Sequence, residues 1–554
     1  MAEKEQKYPY GTSYLPEGEK KYSVIRWGWN GLNKTDDIDT GQLTDMSGMI
    51  CDPPYMVPVK QAKTWIDLGD GIPCDGANIA TADRSTLGVP ISIAGYDKYL
   101  YLVWEDYDPE LQKYTAYIND FINRGNGTVC GYRTMEKEYS DSTANVPRTI
   151  VQFNVVNMVQ EGNIASYTYS NKNLIYPDCY SVPYQWSGTS QASLFNIDDP
   201  DDPNYNPIPA SNYAAVYGSR VFGANKNAVF SSAFNSYVDY TLDDANGTSP
   251  DHAWWSMAQS NTEASGDVTA ICTYDNHVVI FRKDFMQLVY NNKNPFRIVD
   301  VGEFGCDNNK AWTILNGVLY FASQDKVYAF TGGTPKEISK KLEIDDLSGA
   351  VLGSYKNTVW MQTKDELYIY RDGTWSQLGY SWKDGTYAKI IQFATLDYGL
   401  VALVDHTPPT SHLNHHYSLM YLDWDVDALG FEPSDPDWWE PEYATGWWFE
   451  TDLMMLGKLD VRRVKKVSLL CEGEPNSGAA VYLLPDNGVY DITDDDEYRV
   501  GSVTFDQNEK KMLRVLTRQF SGTRHKLRIA GHGYVKIYAA ELKISWGGEL
   551  YVEG

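Results

Sequence analysis

The stretch Val351–Trp375, VLGSYKNTVWMQTKDELYIYRDGTW, reads as three short strands separated by tight turns. Tyr355-Lys356-Asn357 is the first of those turns, with residues that tolerate the left-handed region between two apolar runs. The architecture depends on whether this meander stands alone or repeats.

It repeats. Tyr96-Asp97-Lys98, Tyr217-Gly218-Ser219, Tyr274-Asp275-Asn276, Leu315-Asn316-Gly317 and Leu396-Asp397-Tyr398-Gly399 sit in the same setting. From Tyr274 the step is about 41 residues to Leu315, about 40 to Tyr355 and about 41 to Leu396, the range of propeller blades. The following strand repeats too, with Tyr328 and Tyr368 about 40 apart. Between Tyr96 and Tyr217 there is room for two longer units, and QFNVVNMVQEGNIASYTY is the candidate for the unit between them. The expected fold is all-β: a six- or seven-bladed β-propeller followed by a C-terminal β-sandwich, jelly-roll-like. Radial repetition would protect sheet edges that an open sheet leaves bare.

The sandwich is read from residue 446 on. There KLRIAGHGYVKIYAAELKISW places Leu527, Ile529, Val535 and Ile537 in alternation with Lys526, Arg528 and Lys536, the pattern of half-buried antiparallel sheet. The expected divisions are 1–88 as an N-terminal arm and start of the propeller, 89–430 as propeller, 431–445 as linker and 446–554 as sandwich.

Composition agrees with short strands and many turns. The chain of 554 residues is 43% hydrophobic, enough for large cores, and holds 42 Tyr, 17 Trp, 44 Gly and 25 Pro. Its formal charge is −27. From Gly446 on Lys plus Arg nearly equal Asp plus Glu, so almost all of that charge lies earlier in the chain. Such a chain repels phosphate and is poorly suited to gripping nucleic acid or anionic membranes. The polar start MAEKEQKYPYG lacks the apolar core of a signal peptide, and no apolar run spans a membrane. Seven cysteines without a C-x-x-C pair fit reduced thiols made in a cytosol.

Candidate chemistry is sparse. His412, His415 and His416 in DHTPPTSHLNHH are close enough in sequence to hold a transition metal, yet the segment reads as an exposed loop. Asp423, Asp425 and Asp427 alternate as calcium ligands do, but Ala428 replaces the turn glycine of an EF-hand. The acidic Asp198–Asp202 loop is a second calcium candidate. Arg371–Trp375 resembles part of a sialidase Asp-box, in a single copy. Trp438, Trp439, Trp447 and Trp448 are candidates for stacking on a glycan or packing between domains. No nucleophile elbow, phosphate loop or dinucleotide fingerprint appears. The expectation is no enzyme, no catalytic residue, no cofactor and no resident metal.

Several stretches carry a resemblance. WNGLNKTDDIDTGQLTDMSGM, with Gly31, Leu32, Asn33, Leu43, Asp45 and Met46, is similar to the opening of many tailed-phage virion proteins, although Gly48 stands where they commonly have Asn. SRVFGANKNAVFSSAFNSYVDY and KVYAFTGGTPKEISKKLE resemble their blades, and the C-terminal GTRHKLRIAGHGYVKIYAAELKISWGGEL their sandwich ending. The family is the propeller-bearing tail hub, nozzle and packaged-DNA stabilisation group. Membership implies a structural ring protein of the virion tail or neck, contacting itself and portal, adaptor or tail proteins, with DNA passing unbound. Acidic blades facing the channel would keep DNA from sticking. A receptor- or glycan-binding virion protein is the alternative, and a propeller glycoside hydrolase comes third.

Overall fold

The computed structural model describes residues 13–14, 22–69, 88–123, the strands between 128 and 194, 209–256, 266–379, 388–425 and 443–546, with breaks inside several of these ranges, the longest at 486–497. Every regular element among them is a strand.

Seven sheets succeed one another along the chain, beginning at Gly88, Thr149, Tyr213, Val268, Trp312, Val351 and Lys389, and they build a β-propeller. The stretch Val351–Trp375 lies in the sixth sheet. It holds four strands, not three: Val351–Tyr355, Thr358–Gln362, Leu367–Arg371 and Thr374–Gln377. The candidate unit in the long interval is the pair Thr149–Glu161 and Ile164–Tyr176 of the second sheet.

The turn chemistry explains why each sheet starts as it does. Gly218 and Ser219, Asp275 and Asn276, and Asn316 and Gly317 all have positive φ, as two-residue hairpin turns require. Lys356 does the same in the sixth sheet at φ 51°.

The period of about 41 residues is a register between neighbouring sheets. Thr313 Oγ1 and Ser354 Oγ lie 2.8 Å apart, and Thr395 Oγ1 donates to Ser354 O at 2.8 Å, so equivalent first strands of three successive sheets are linked in a row. Asn316 Nδ2 likewise donates to Asn357 Oδ1 at 3.2 Å between equivalent turns. The first strands are therefore the inner ones. Their charged residues are Glu161 and Lys389 alone.

The ring closes through the N-terminal region. Strand Lys63–Gly69 pairs antiparallel with Tyr417–Trp424 as the outer strand of the seventh sheet, with Ile66 opposite Leu419. Trp65 stacks on Tyr421 at 5.0 Å. On the inner side, Ser92 Oγ donates to Gln392 Oε1 at 2.9 Å, and Gly95 lies so close to the seventh sheet that a Cβ would sit 2.2 Å from Thr395 O. Gly95→Ala is expected to lower stability by about 1–3 kcal/mol through overpacking at this junction. Thermal melting checks it; an unchanged midpoint would contradict the close approach.

Two further sheets face each other beside the propeller. One runs Ser13–Tyr14, Tyr22–Trp27, Val535–Trp546, Arg462–Gly473, Glu509–Leu516. The other runs Leu43–Ser47, Trp447–Thr451, Arg524–His532, Ser477–Pro485, Arg499–Phe505. Alternate residues of each point inward, and Val467, Leu469, Ile537 and Leu542 meet Phe449, Val481, Leu483 and Ile529 in one buried core. The N-terminal residues expected as arm and propeller start are thus divided: 22–58 belong to these two sheets, and 63–69 to the last blade.

Cys51, Cys272, Cys306 and Cys471 are buried and free. Burial pushes the Cys51, Cys306 and Cys471 thiols up to about 12.

Candidate interaction surface

Residues 29–58 form the joint between propeller and two-sheet body. Gly31 has φ 82° and backs onto the sixth blade, where a Cβ would stand 2.7 Å from Thr374 Cβ. Leu32 N donates to Trp375 O at 2.8 Å, Gly48 N to Leu378 O at 3.2 Å, and Cys51 N to Ser376 Oγ at 2.9 Å. Asn33 Nδ2 donates to Gln42 Oε1 at 2.6 Å, which holds the loop back on itself. Trp29, Leu32, Leu43, Met46 and Met49 are all buried, and Trp29 meets Phe449 edge-on at 4.9 Å. The stretch WNGLNKTDDIDTGQLTDMSGM, Trp29–Met49, thus lies at the joint.

A charged seam runs along the same side. Asp423 Oδ1 lies 3.8 Å from Lys60 Nζ, Asp425 Oδ2 lies 3.3 Å from Lys356 Nζ, and Asp52 Oδ1 lies 3.7 Å from Arg371 Nε. Burial raises the Asp423 carboxyl above its ordinary range, and Lys60, Lys356 and Arg371 pull it back. Burial also raises the Tyr355 phenol to about 12, helped by Asp425, Asp423 and Asp397. Lysines thus face the two described carboxylates of the calcium candidate; Asp427 lies outside the described residues, as do His412, His415 and the Asp198–Asp202 loop. His416 Nε2 is 2.7 Å from Asp67 Oδ1, across the closing strand pair. Among the described residues, no three His, Cys, Asp or Glu side chains are grouped to hold a metal.

Of the tryptophan candidates, Trp438 and Trp439 lie outside the described residues. Trp447 is a core residue, 1% exposed, whose Nε1 donates to Gly533 O at 2.9 Å. Trp448 points to the other side of the same strand, where the Arg528 guanidinium covers its ring at 4.3 Å and pairs with Glu450 at 2.8 Å. Trp375 of the Asp-box-like turn is buried, with Nε1 donating to Ile338 O at 2.7 Å, which makes it a packing residue.

The surface that sequence reasoning missed is the tyrosine–lysine face of the first body sheet. Tyr55 and Tyr538 meet edge-on at 5.0 Å, Lys536 lies 4.2 Å over Tyr55, and Lys510 lies 3.7 Å over Tyr538. Each such cation–ring contact contributes about 0.5–1 kcal/mol at an exposed site. The Tyr538 hydroxyl donates to Glu472, which raises the phenol to about 12. The signal in the sequence was the alternation of Lys536 and Tyr538, which marks an outward row but names no partner strand.

One lysine sits apart. Lys310 precedes the inner strand of the fifth sheet, and burial lowers its ammonium to about 8. A base depressed on folding penalises the folded state below its folded value, and the penalty lifts as pH rises toward the unfolded value. Lys310→Met is therefore expected to stabilise by about 1–2 kcal/mol at neutral pH, with the gain shrinking between about pH 8 and 10.5. Melting curves at both ends of that window check it; a gain that grows with pH would contradict it.

No family model and no curated protein sequence matches the chain. Solved structures that it resembles include the β-propeller domain of the trilobed protease from Pyrococcus furiosus, at TM-score 0.32 and 10% identity over 64% of this chain and 98% of that one. An acylaminoacyl peptidase from Pyrococcus horikoshii matches at 0.28 and 11% over 65% of this chain, which spans 58% of the peptidase. A glycoside hydrolase family 43 arabinoxylan arabinofuranohydrolase from Bacillus subtilis matches at 0.20 and 9% over 86% and 98%. The expectation that the chain is no enzyme is withdrawn on these matches, which are to enzymes; at these scores their activities are said of them alone.

Proposed function

We propose that this chain is a structural component of a tailed-phage virion, a ring-forming protein of the tail hub, nozzle or head–tail junction around the DNA path. The observation that carries the proposal is the place of Gly31, Leu32, Asn33, Leu43 and Met46. They are the residues of the virion-like opening stretch, and they hold the propeller to the two-sheet body. Asp45, the sixth residue of that motif, accepts from Met46 N at 2.9 Å; a motif seated in such a joint fits a protein that holds two bodies in one rigid arrangement. A closed propeller with loops on both faces, fixed to a second body, offers broad rigid surfaces to neighbours. Its partners on this reading are other copies, portal, adaptor or tail proteins. An acidic channel lining would come from loops of the assembled ring, since the inner strands are almost uncharged.

Mass spectrometry of purified particles tests this. The chain is expected in stoichiometric, multiple copies per portal ring. Its absence from particles, with the chain present in the infected cell, would overturn the proposal.

A further inference from the structure

We propose that the outer face of the sheet holding Glu509–Leu516 is a docking surface for the acidic propeller of a second copy of this chain. The register places the residues. Lys466 stands opposite Lys543 on one side and Leu516 on the other; Ser468 opposite Glu541 and Arg514; Leu470 opposite Ala539 and Met512; Glu472 opposite Lys536 and Lys510. Their inward neighbours Val467, Leu469, Cys471, Ile537 and Leu542 fill the core, so these rows form the other face.

Among the described residues, that face gathers Lys466, Lys510, Arg514, Lys536 and Lys543 against Glu472 and Glu541. Both carboxylates are engaged: Arg26 Nε lies 2.8 Å from Glu541 Oε2, and Glu472 accepts the Tyr538 hydroxyl. Lys466 and Lys543 stand directly opposite each other, which sets two like charges side by side on this face. Apolar area is exposed in the same rows, Leu516 at 78% and Met512 at 48%. Glu509–Leu516 is also the last strand of its sheet in the described order.

The occupant follows from charge. The chain carries −27 overall, and nearly all of it lies before Gly446, most of that within residues 59–430, the propeller and its closing strand. Each copy therefore brings one basic face and one acidic body, which are complementary to each other and distinct. Contacts between unlike patches add copies head to tail, and such a series closes into a ring when the rotation allows. This inference rests on the ring-forming reading above and supplies its contact face. The two fail separately, because self-association is measured on the purified chain and virion location on particles.

The test is sedimentation and native mass spectrometry of the full chain at about 50 mM and about 500 mM salt, since charge-led association weakens as screening grows. Wild type is expected to assemble at low salt and dissociate at high salt. K466E/K510E/R514E/K543E is expected to stay monomeric at both, and the milder K510Q/R514Q to associate about ten-fold more weakly. Circular dichroism shows that each variant is folded; should the quadruple variant fail to fold, the double variant carries the test. A wild type that stays monomeric at about 100 μM in low salt would overturn the proposal. Folded variants that assemble like wild type would do the same. Retention of duplex DNA by wild type, lost in the variants and without self-association, would assign the face to nucleic acid instead.

Discussion

Trp29→Ala lowers the unfolding free energy by about 3–5 kcal/mol, the range for a fully buried aromatic cut back to a methyl group. Trp29 is 0% exposed, lies edge-on to Phe449 at 4.9 Å and occupies the joint between the body sheets and the segment that reaches the sixth blade. The loss combines transfer of its ring with a cavity that neighbours on two sides cannot jointly fill. Its backbone adds a second hold, since Trp29 N donates to Pro54 O at 3.2 Å, and this bond survives the substitution. The variant is therefore expected to fold, with a lower denaturation midpoint and earlier proteolytic release of the two-sheet body. Urea unfolding followed by tryptophan fluorescence and by circular dichroism reads the midpoint, and a limited-proteolysis time course reads the release. A loss under about 1 kcal/mol would mean that this ring is not buried as described.

Arg220→Met has an effect of similar size and a different cause. Arg220 is 0% exposed at the start of the second strand of the third sheet. Its Nη1 donates to Ser232 O at 2.6 Å and His252 O at 2.7 Å, its Nη2 donates to Pro250 O, and Phe296 lies 5.4 Å from the guanidinium carbon. One planar fork thus satisfies three main-chain carbonyls of the long connection before Trp254–Ser256. Methionine fills much of the volume and leaves those acceptors in an apolar interior, each at about 1–3 kcal/mol. A total loss of about 3–5 kcal/mol is expected after relaxation. Arg220→Lys retains charge without the fork and should recover only part of it. Thermal unfolding of the three proteins side by side decides: equal stability of the lysine variant and wild type would show that the charge, and not the geometry, matters.

The repeat was legible because its signals are local. Tyr274-Asp275-Asn276 and Leu315-Asn316-Gly317 announce hairpins by residues that accept positive φ, and their spacing is fixed by the inter-sheet register that the Thr313–Ser354 contact displays. The two-sheet body was legible from the alternation around Leu527 and Ile529. What stayed hidden joins residues far apart in the chain. Arg26 and Glu541 meet across 515 positions, and nothing within Tyr22–Trp27 announces that its neighbour is the last strand. The closing strand Lys63–Gly69 was hidden for the same reason.

The candidate sites divide the same way. DWDVD offered alternating carboxylates, but Lys60 and Lys356, which face two of them, come from other parts of the chain. The pair Trp447-Trp448 looked alike in sequence, and strand alternation sent one ring into the core and the other beneath Arg528. The tyrosine–lysine face depends on four strands, Tyr55–Pro58, Arg462–Gly473, Glu509–Leu516 and Val535–Trp546, whose order is set by long-range pairing.

Gold-labelled antibody to this chain, imaged on particles by electron microscopy, tests the central claim most directly. Label is expected at the neck or along the tail axis. Label confined to peripheral fibres would replace the conduit reading with receptor binding, and no label on intact or disrupted particles would contradict a place in the virion.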